Sequence, residues 1–267
     1  MLGGVRAVNL VLILYRHTGL DTNTDIRICY YYIMSETLPF ETSTQIQSLA
    51  TELIDRGACS VFLYGSRARG DNLLDSDWEV GVVFAEAKYI PRRELAPLQT
   101  DGVVIYPFKY AELTAGTADV PFTRSIWLTE LITSAKTIGG EDVTSKIPLP
   151  EITAFDIVSD NSFYKARSLD AMIAQREGHA SLARDLFVKS ALLGARALIL
   201  SEGLQFPKNY PEIVHIASPL LDTESQAILR RAFEVRTSKN VLTANETFDN
   251  IGLQMEVEEK IRARLAQ

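Results

Sequence analysis

The stretch LYGSRARGDNLLDSDWEVGVVF, Leu63 to Phe84, decides the reading of this chain. An apolar run of strand type, Cys59–Tyr64, ends at Gly65-Ser66, and a polar, turn-rich segment leads to a second strand, Trp78–Phe84. Side chains alternate faces along a strand, so Asp77 and Glu79 point the same way with Trp78 opposed. Two adjacent carboxylates repel, which raises one pKa and calls for a cation. Carboxylate oxygens suit Mg²⁺, which also binds substrate phosphates. Asp101, at the head of a third apolar run, is a candidate third oxygen ligand. Gly65 can take a positive φ and lets a phosphate approach the backbone. A turn with exposed amides, the Ser66 hydroxyl and the forked donors of Arg67 and Arg69 all suit anionic oxygens. Together these residues describe a site for a nucleoside triphosphate with its magnesium.

Plainer readings exist for each part. GSRARG could be a solvated turn, Asp77 the residue that opens a strand, and Asp101 the end of a connection. Glu79 resists such a reading, because it interrupts an apolar run where an unpaired charge is expensive. Gly81 reads as a packing or bulge position.

Outward from this core, Ile46, Leu49, Ala50, Leu53 and Ile54 repeat at helical spacing, with Ser43 or Thr44 as cap and Gly57 as stop. Gly102–Phe108 is a third strand, stopped by Pro107. Pro91 and Pro97 limit any helix in the mixed region Glu86–Leu98. A helix over Ser125–Ala135 precedes a short strand-like KTIGG. Beyond the prolines at 148 and 150 the chain reads helical: Asn161–Gln175, Ala180–Leu200, Pro211–Ala217, Thr223–Ser238 and Ala244–Ala266. Arg184, Lys189 and Arg196 interrupt the apolar helix Ala180–Leu200, either facing substrate or snorkelling. His179 reads as a helix-start residue and His215 as a packing residue. The expected organisation is an extension over 1–42, an α/β unit over 43–147 and an all-helical bundle over 148–267. In the extension, Val8–Tyr15 and Ile26–Met34 are strand candidates around the turn GLDTNTD. A translation start at Met34 is the alternative.

Composition narrows the function classes. The chain has 267 residues, 46% hydrophobic and 23% charged, which excludes wholesale disorder. With 27 Lys plus Arg against 34 Asp plus Glu, the net charge of −7 argues against a protein that blankets nucleic acid. Cys29 and Cys59 cannot build a disulfide scaffold, and His17, His179 and His215 have no zinc-motif spacing. No apolar run reaches 18 residues, and Val8–Tyr15 lacks a good cleavage site after it. The expectation is a cytoplasmic protein with reduced thiols and no membrane partner.

The quoted stretch also resembles the signature of the nucleotidyltransferase superfamily, the DNA polymerase β-like fold. That signature is a strand, Gly-Ser, about ten residues, then acid–any–acid on the next strand and a third acid on a later one. It falls on Gly65, Ser66, Asp77 and Glu79, and less surely on Asp101. The minimal and aminoglycoside-type members share the GSRARG form and the Ser-Asp before the acids. WLTELITSAKTIGGEDV (Trp127–Val143) resembles their helix followed by a Gly-Glu-Asp turn. The resemblance implies an α/β (α+β) catalytic domain with a short mixed sheet, followed by a helical substrate-binding domain. It implies two Mg²⁺ ions on Asp77, Glu79 and Asp101, with ATP or another NTP as substrate. It implies transfer of an NMP, AMP first, to a hydroxyl of a small molecule such as an aminoglycoside, with release of pyrophosphate. A protein or RNA acceptor, or a non-catalytic nucleotide-binding module, is the alternative. The Gly-Ser form, without the Arg-Asp of relatives that act on transfer-RNA ends, counts against RNA end repair. The spacing of Arg176 and His179 does not fit a nuclease. Some relatives take a general base from the helical region, for which Glu130, Asp156, Asp160, Asp170 and Glu177 all qualify by residue type.

Overall fold

Helix α1 (Thr44–Asp55) forms where the apolar spacing predicts it, with Ile46, Leu49, Ala50 and Leu53 buried on one face. The computed structural model describes residues 44–266 apart from 75, 121, 239 and 240. The expectations for residues 1–42 lie outside the described residues. After α1 come strand β1 (Ala58–Tyr64), the one-turn helix α2 (Gly65–Arg69) and strand β2 (Trp78–Phe84). Helix α3 (Arg92–Leu95), strand β3 (Val103–Lys109), helices α4 (Tyr110–Thr114) and α5 (Arg124–Ser134), and strand β4 (Lys136–Gly140) follow.

The four strands make one mixed sheet in the order β3-β2-β1-β4. β1 runs antiparallel to β2 and β4, and β2 runs parallel to β3. The central strands are apolar on both faces and buried: Val61, Phe62 and Leu63 on β1, and Val80, Val82, Val83 and Phe84 on β2. Gly81 is a packing position. A Cβ there would come within 2.2 Å of the Phe62 ring, so glycine is what lets the ring lie flat on β2. Phe62, Phe108, Leu128, Leu131 and Val143 join in the core between this sheet face and α5.

One expectation is corrected here. Pro107 does not stop the third strand, which runs on to Lys109. β3 is an edge strand, and an edge tolerates the missing N–H that a central ladder would not.

The second half is a helical bundle of α6 (Ala154–Arg176), α7 (Ala180–Ser201), α8 (Tyr210–Ala217), α9 (Thr223–Ser238) and α10 (Ala244–Leu265). α7 is its centre, with Ala183, Phe187, Ala191, Leu192, Ala195 and Ile199 fully buried. α6 begins at Ala154 rather than Asn161, because Thr153 and Asp156 form a reciprocal capping box. The Asp156 amide donates to Thr153 Oγ1 at 3.2 Å and the Thr153 amide to Asp156 Oδ2 at 2.8 Å. His179 stands at the N-cap of α7. His215 is exposed on α8, not packed, because the buried stripe of that short helix runs through Tyr210, Ile213 and Ala217. Gln45–Gln267 forms one compact unit. No helix of the described residues is long and apolar enough to cross a membrane.

Candidate active site

The site grows from the junction of β1 and α2. Gly65 has φ +71°, and a Cβ built on it would lie 1.7 Å from Glu79 Oε2. The carboxylate of Glu79 therefore rests directly against the Gly65 backbone, which is why this position needs glycine twice over: for its φ and for its missing side chain. Antiparallel pairing of Tyr64 with Glu79 sets this register. Gly70, at φ 80°, closes α2, and the amides of Gly70 and Asp71 both donate to the Ser66 carbonyl, at 2.9 and 3.1 Å.

Glu79 is largely withdrawn from water. Burial, with the nearby Glu130 charge next in weight and Asp77 adding to it, pushes its carboxyl up to about 7 against the pull of Arg69 and Lys189. The same burial, with the Glu79 charge, raises the phenol of its strand partner Tyr64.

Asp77 stands exposed immediately before β2. Asp101 lies in the exposed turn before β3 and is not among the charges acting most strongly on Glu79. The β3 residue in register with Glu79 is Val104, so the third strand offers no carboxylate beside the pair. Arg67 faces the connecting loop: Nε donates to the Ser76 carbonyl at 2.8 Å and Nη2 to that of Leu74 at 3.3 Å, with the guanidinium 4.3 Å above the Trp78 ring. Arg69 faces the bundle, paired with Asp71 at 3.3 Å and with Glu130. The structure thus gathers Gly65, Ser66, Arg69, Asp77 and Glu79 at the strand ends, and places Asp101 and Arg67 otherwise.

Among the described residues no three His, Cys, Asp or Glu side chains are gathered as a metal site. The donors at hand still fit a hard divalent cation in kind. Two carboxylates, one desolvated and resisting ionisation, are what such an ion would neutralise.

Of the five acids considered for the helical region, only Glu130 of α5 is among the charges acting most strongly on Glu79. Asp156 caps α6, Asp170 pairs with Arg167 at 3.0 Å on the surface, and Glu177 is exposed beyond α6. Asp160, 3% exposed, lies under Arg196, which donates to it at 3.1 Å and to Glu130 Oε2 at 3.0 Å. An ion-pair chain Asp160–Arg196–Glu130–Arg69–Asp71 therefore runs from the bundle to the signature loop. Two further contacts tie that loop down: the Tyr210 amide donates to Asp71 Oδ2 at 3.2 Å, and Arg236 Nη2 donates to the Asp71 carbonyl at 2.6 Å. Glu130, Arg69, Arg196 and Tyr210 also line a small, half-open cleft. Arg196 interrupts the apolar stretch of α7, which is the signal available in the sequence; Glu130, set among threonines and serines of α5, offers none.

The chain matches no family model and no curated protein. In structure it is similar to spectinomycin adenyltransferase AAD(9) from Enterococcus faecialis, solved with ATP and spectinomycin. The TM-score is 0.53 at 13% identity, covering 80% of this chain and 97% of that one. A nucleotidyltransferase-like protein from Exiguobacterium sibiricum 255-15 aligns over 82% of this chain and 76% of its own at 14% identity, with a TM-score of only 0.32. The likeness to AAD(9) is one of fold: an N-terminal mixed sheet with helices followed by a helical bundle.

Proposed function

We propose that this protein is a Mg²⁺-dependent nucleotidyltransferase that moves AMP from ATP onto a hydroxyl of a small molecule and releases pyrophosphate. The observation that carries this reading is the Glu79 carboxylate seated against Gly65, at the end of a strand pair that also brings in Asp77. A desolvated carboxylate without an ion pair beside a Gly-Ser turn has little structural value, and a perturbed carboxylate of this kind is a mark of functional sites. ATP and a small-molecule acceptor are supported by the likeness to AAD(9), whose structure was determined with ATP and spectinomycin.

In this reading Asp77 and Glu79 hold Mg²⁺. Once bound, the ion neutralises triphosphate charge and makes the acceptor hydroxyl easier to deprotonate. Gly65 leaves the backbone open to a phosphate, and Ser66 offers a hydroxyl donor beside it. Lys189, exposed on α7 and acting on Glu79 from the bundle side, supplies positive charge facing the triphosphate. The acceptor oxygen attacks the α-phosphorus, the α–β bridging P–O bond breaks, pyrophosphate departs, and the hydroxyl proton passes to solvent. Holding the two substrates in line accounts for most of the rate.

The test is pyrophosphate release from ATP, GTP, CTP and UTP with Mg²⁺ against a panel of hydroxyl acceptors rich in aminoglycosides. Release with one nucleotide and one acceptor class is expected, falling about 100-fold or more in Asp77→Asn. Because Asp77 is exposed, the variant should keep the wild-type melting temperature. Full turnover in Asp77→Asn would remove the acid pair from the mechanism.

A further inference from the structure

Asp71 directly follows the helical turn that begins at Gly65, and each of its four polar groups has a partner. Two contacts face that turn: the Asp71 amide donates to the Ser66 carbonyl at 3.1 Å, and Oδ1 lies 3.3 Å from Arg69 Nε. Two face the bundle: Oδ2 accepts from the Tyr210 amide at 3.2 Å, and the Asp71 carbonyl accepts from Arg236 Nη2 at 2.6 Å. The Asp71 side chain is only 7% exposed. Tyr210 is the first residue of α8, and the opening amides of a helix have no partner within it. Asn209 Oδ1 takes the Glu212 amide at 3.0 Å and Pro211 has no amide, so Asp71 completes this cap from outside the bundle. Arg236 reaches over from α9, its guanidinium 4.7 Å from the centre of the Tyr210 ring, with Arg69 5.6 Å from the same ring. The bundle therefore grips α2 at its far end. At its near end lie Gly65 and Ser66, and the Ser66 carbonyl accepts both the Gly70 and the Asp71 amides, so the two ends are tied together. A turn already held in its bound form loses less entropy on taking up a ligand than a turn free to move.

We propose that Asp71, held by Arg236 and the Tyr210 amide, is a positioning residue that fixes the Gly-Ser turn in the form that receives the triphosphate, so that nucleotide affinity depends on the helical bundle. This rests on the nucleotidyl-transfer reading above. Arg236 acts through Asp71 and not by contact with the nucleotide. Asp71 acts through the turn, against its own charge, which repels phosphate.

The test is calorimetric titration of α,β-methylene ATP with Mg²⁺ into the full chain. The stoichiometry reports the folded fraction and the dissociation constant reports the turn. A merely structural role for the grip lowers the first and leaves the second unchanged. Asp71→Asn puts an amide where two oxygens face two donors, Arg69 Nε and the Tyr210 N–H, so one contact is lost. Its dissociation constant should rise about 10-fold with the stoichiometry near one. Removing a negative charge beside the turn would by itself tighten a triphosphate, so the sign of the change separates positioning from charge. Arg236→Met should weaken binding about as much, and Arg236→Lys, which keeps a donor for the Asp71 carbonyl, should stay within about threefold of wild type. Unchanged or tighter binding in Asp71→Asn overturns the proposal and leaves the enzyme reading standing. So does a loss in Arg236→Met with none in Asp71→Asn, since Arg236 would then act on the nucleotide directly. No binding of the analogue by the wild type overturns both. Should Asp71→Asn melt below the assay temperature, the two Arg236 variants decide: a loss in Arg236→Met restored in Arg236→Lys supports the proposal, and an unchanged constant in Arg236→Met overturns it.

Discussion

Glu79 and Asp160 are both carboxylates withdrawn from water, and the protein treats them oppositely. Asp160 lies between α6 and α7, bonded to an arginine that is itself buried. Burial still raises it, but the Arg196 charge and hydrogen bond oppose that rise. Glu79 lies at the end of the sheet, influenced at a distance by Arg69 and Lys189, and closes no ion pair among the described residues. In the bundle, a buried charge is matched and serves architecture. At the strand ends, a buried carboxylate is left without an ion pair, which costs stability and marks functional sites more often than structural ones. The two regions are joined by one chain of ion pairs, so the matched end holds the unmatched end in place.

Breaking the matched end should have the largest effect. Arg196→Met strands Asp160 without a cation and frees Glu130, and should cost about 3–5 kcal/mol of stability in urea denaturation. A loss under 1 kcal/mol would show that the two acids are hydrated rather than held by Arg196. At the unmatched end, Gly65→Ala drives a Cβ into the Glu79 carboxylate at a positive φ, and about 2–3 kcal/mol should be lost. Combining it with Glu79→Ala should recover part of that loss, because the collision is removed while the backbone strain remains.

Relieving the unmatched charge should do the reverse. In the unfolded chain Glu79 ionises near 4.5, whereas in the folded protein it stays protonated until about 7. Its protonated form therefore contributes stability that is complete below pH 4.5 and lost as pH rises through 7. Glu79→Gln carries no such loss. With EDTA present it should be more stable than wild type by about 2 kcal/mol above pH 7, and the gap should close by pH 4.5. Equal pH profiles for the two proteins would mean that Glu79 is well solvated. The smallest effect belongs to the start of α6: Thr153→Ala removes the capping box and should cost about 1 kcal/mol in urea denaturation at neutral pH.

Much of the fold was readable because its signals are local. The spacing in α1 and the apolar run of α7 each express a local pattern within a few residues. Where the expectations fail, as at Pro107, at the start of α6 and at the exposed His215, the cause is context outside that range. Pro107 looked like a stop, but the position of β3 at the sheet edge makes it tolerable. The start of α6 was placed too late, because the apolar pattern is weak there and the Thr153–Asp156 capping box defines the end instead.

The sequence by itself determined the strands and the turn between them, because an apolar run bounded by turn residues declares itself within a few positions. Only the tertiary structure decided that Glu79 lies on Gly65, that Arg67 faces the loop while Arg69 faces the bundle, and that Glu130 pairs with both Arg69 and Arg196. Arg69 and Glu130 are 61 residues apart, and Glu130 and Arg196 are 66 apart. Partners at such separations meet through the packing of α5 and α7 around the sheet end, and ion pairs of this kind leave no periodicity for a sequence to display.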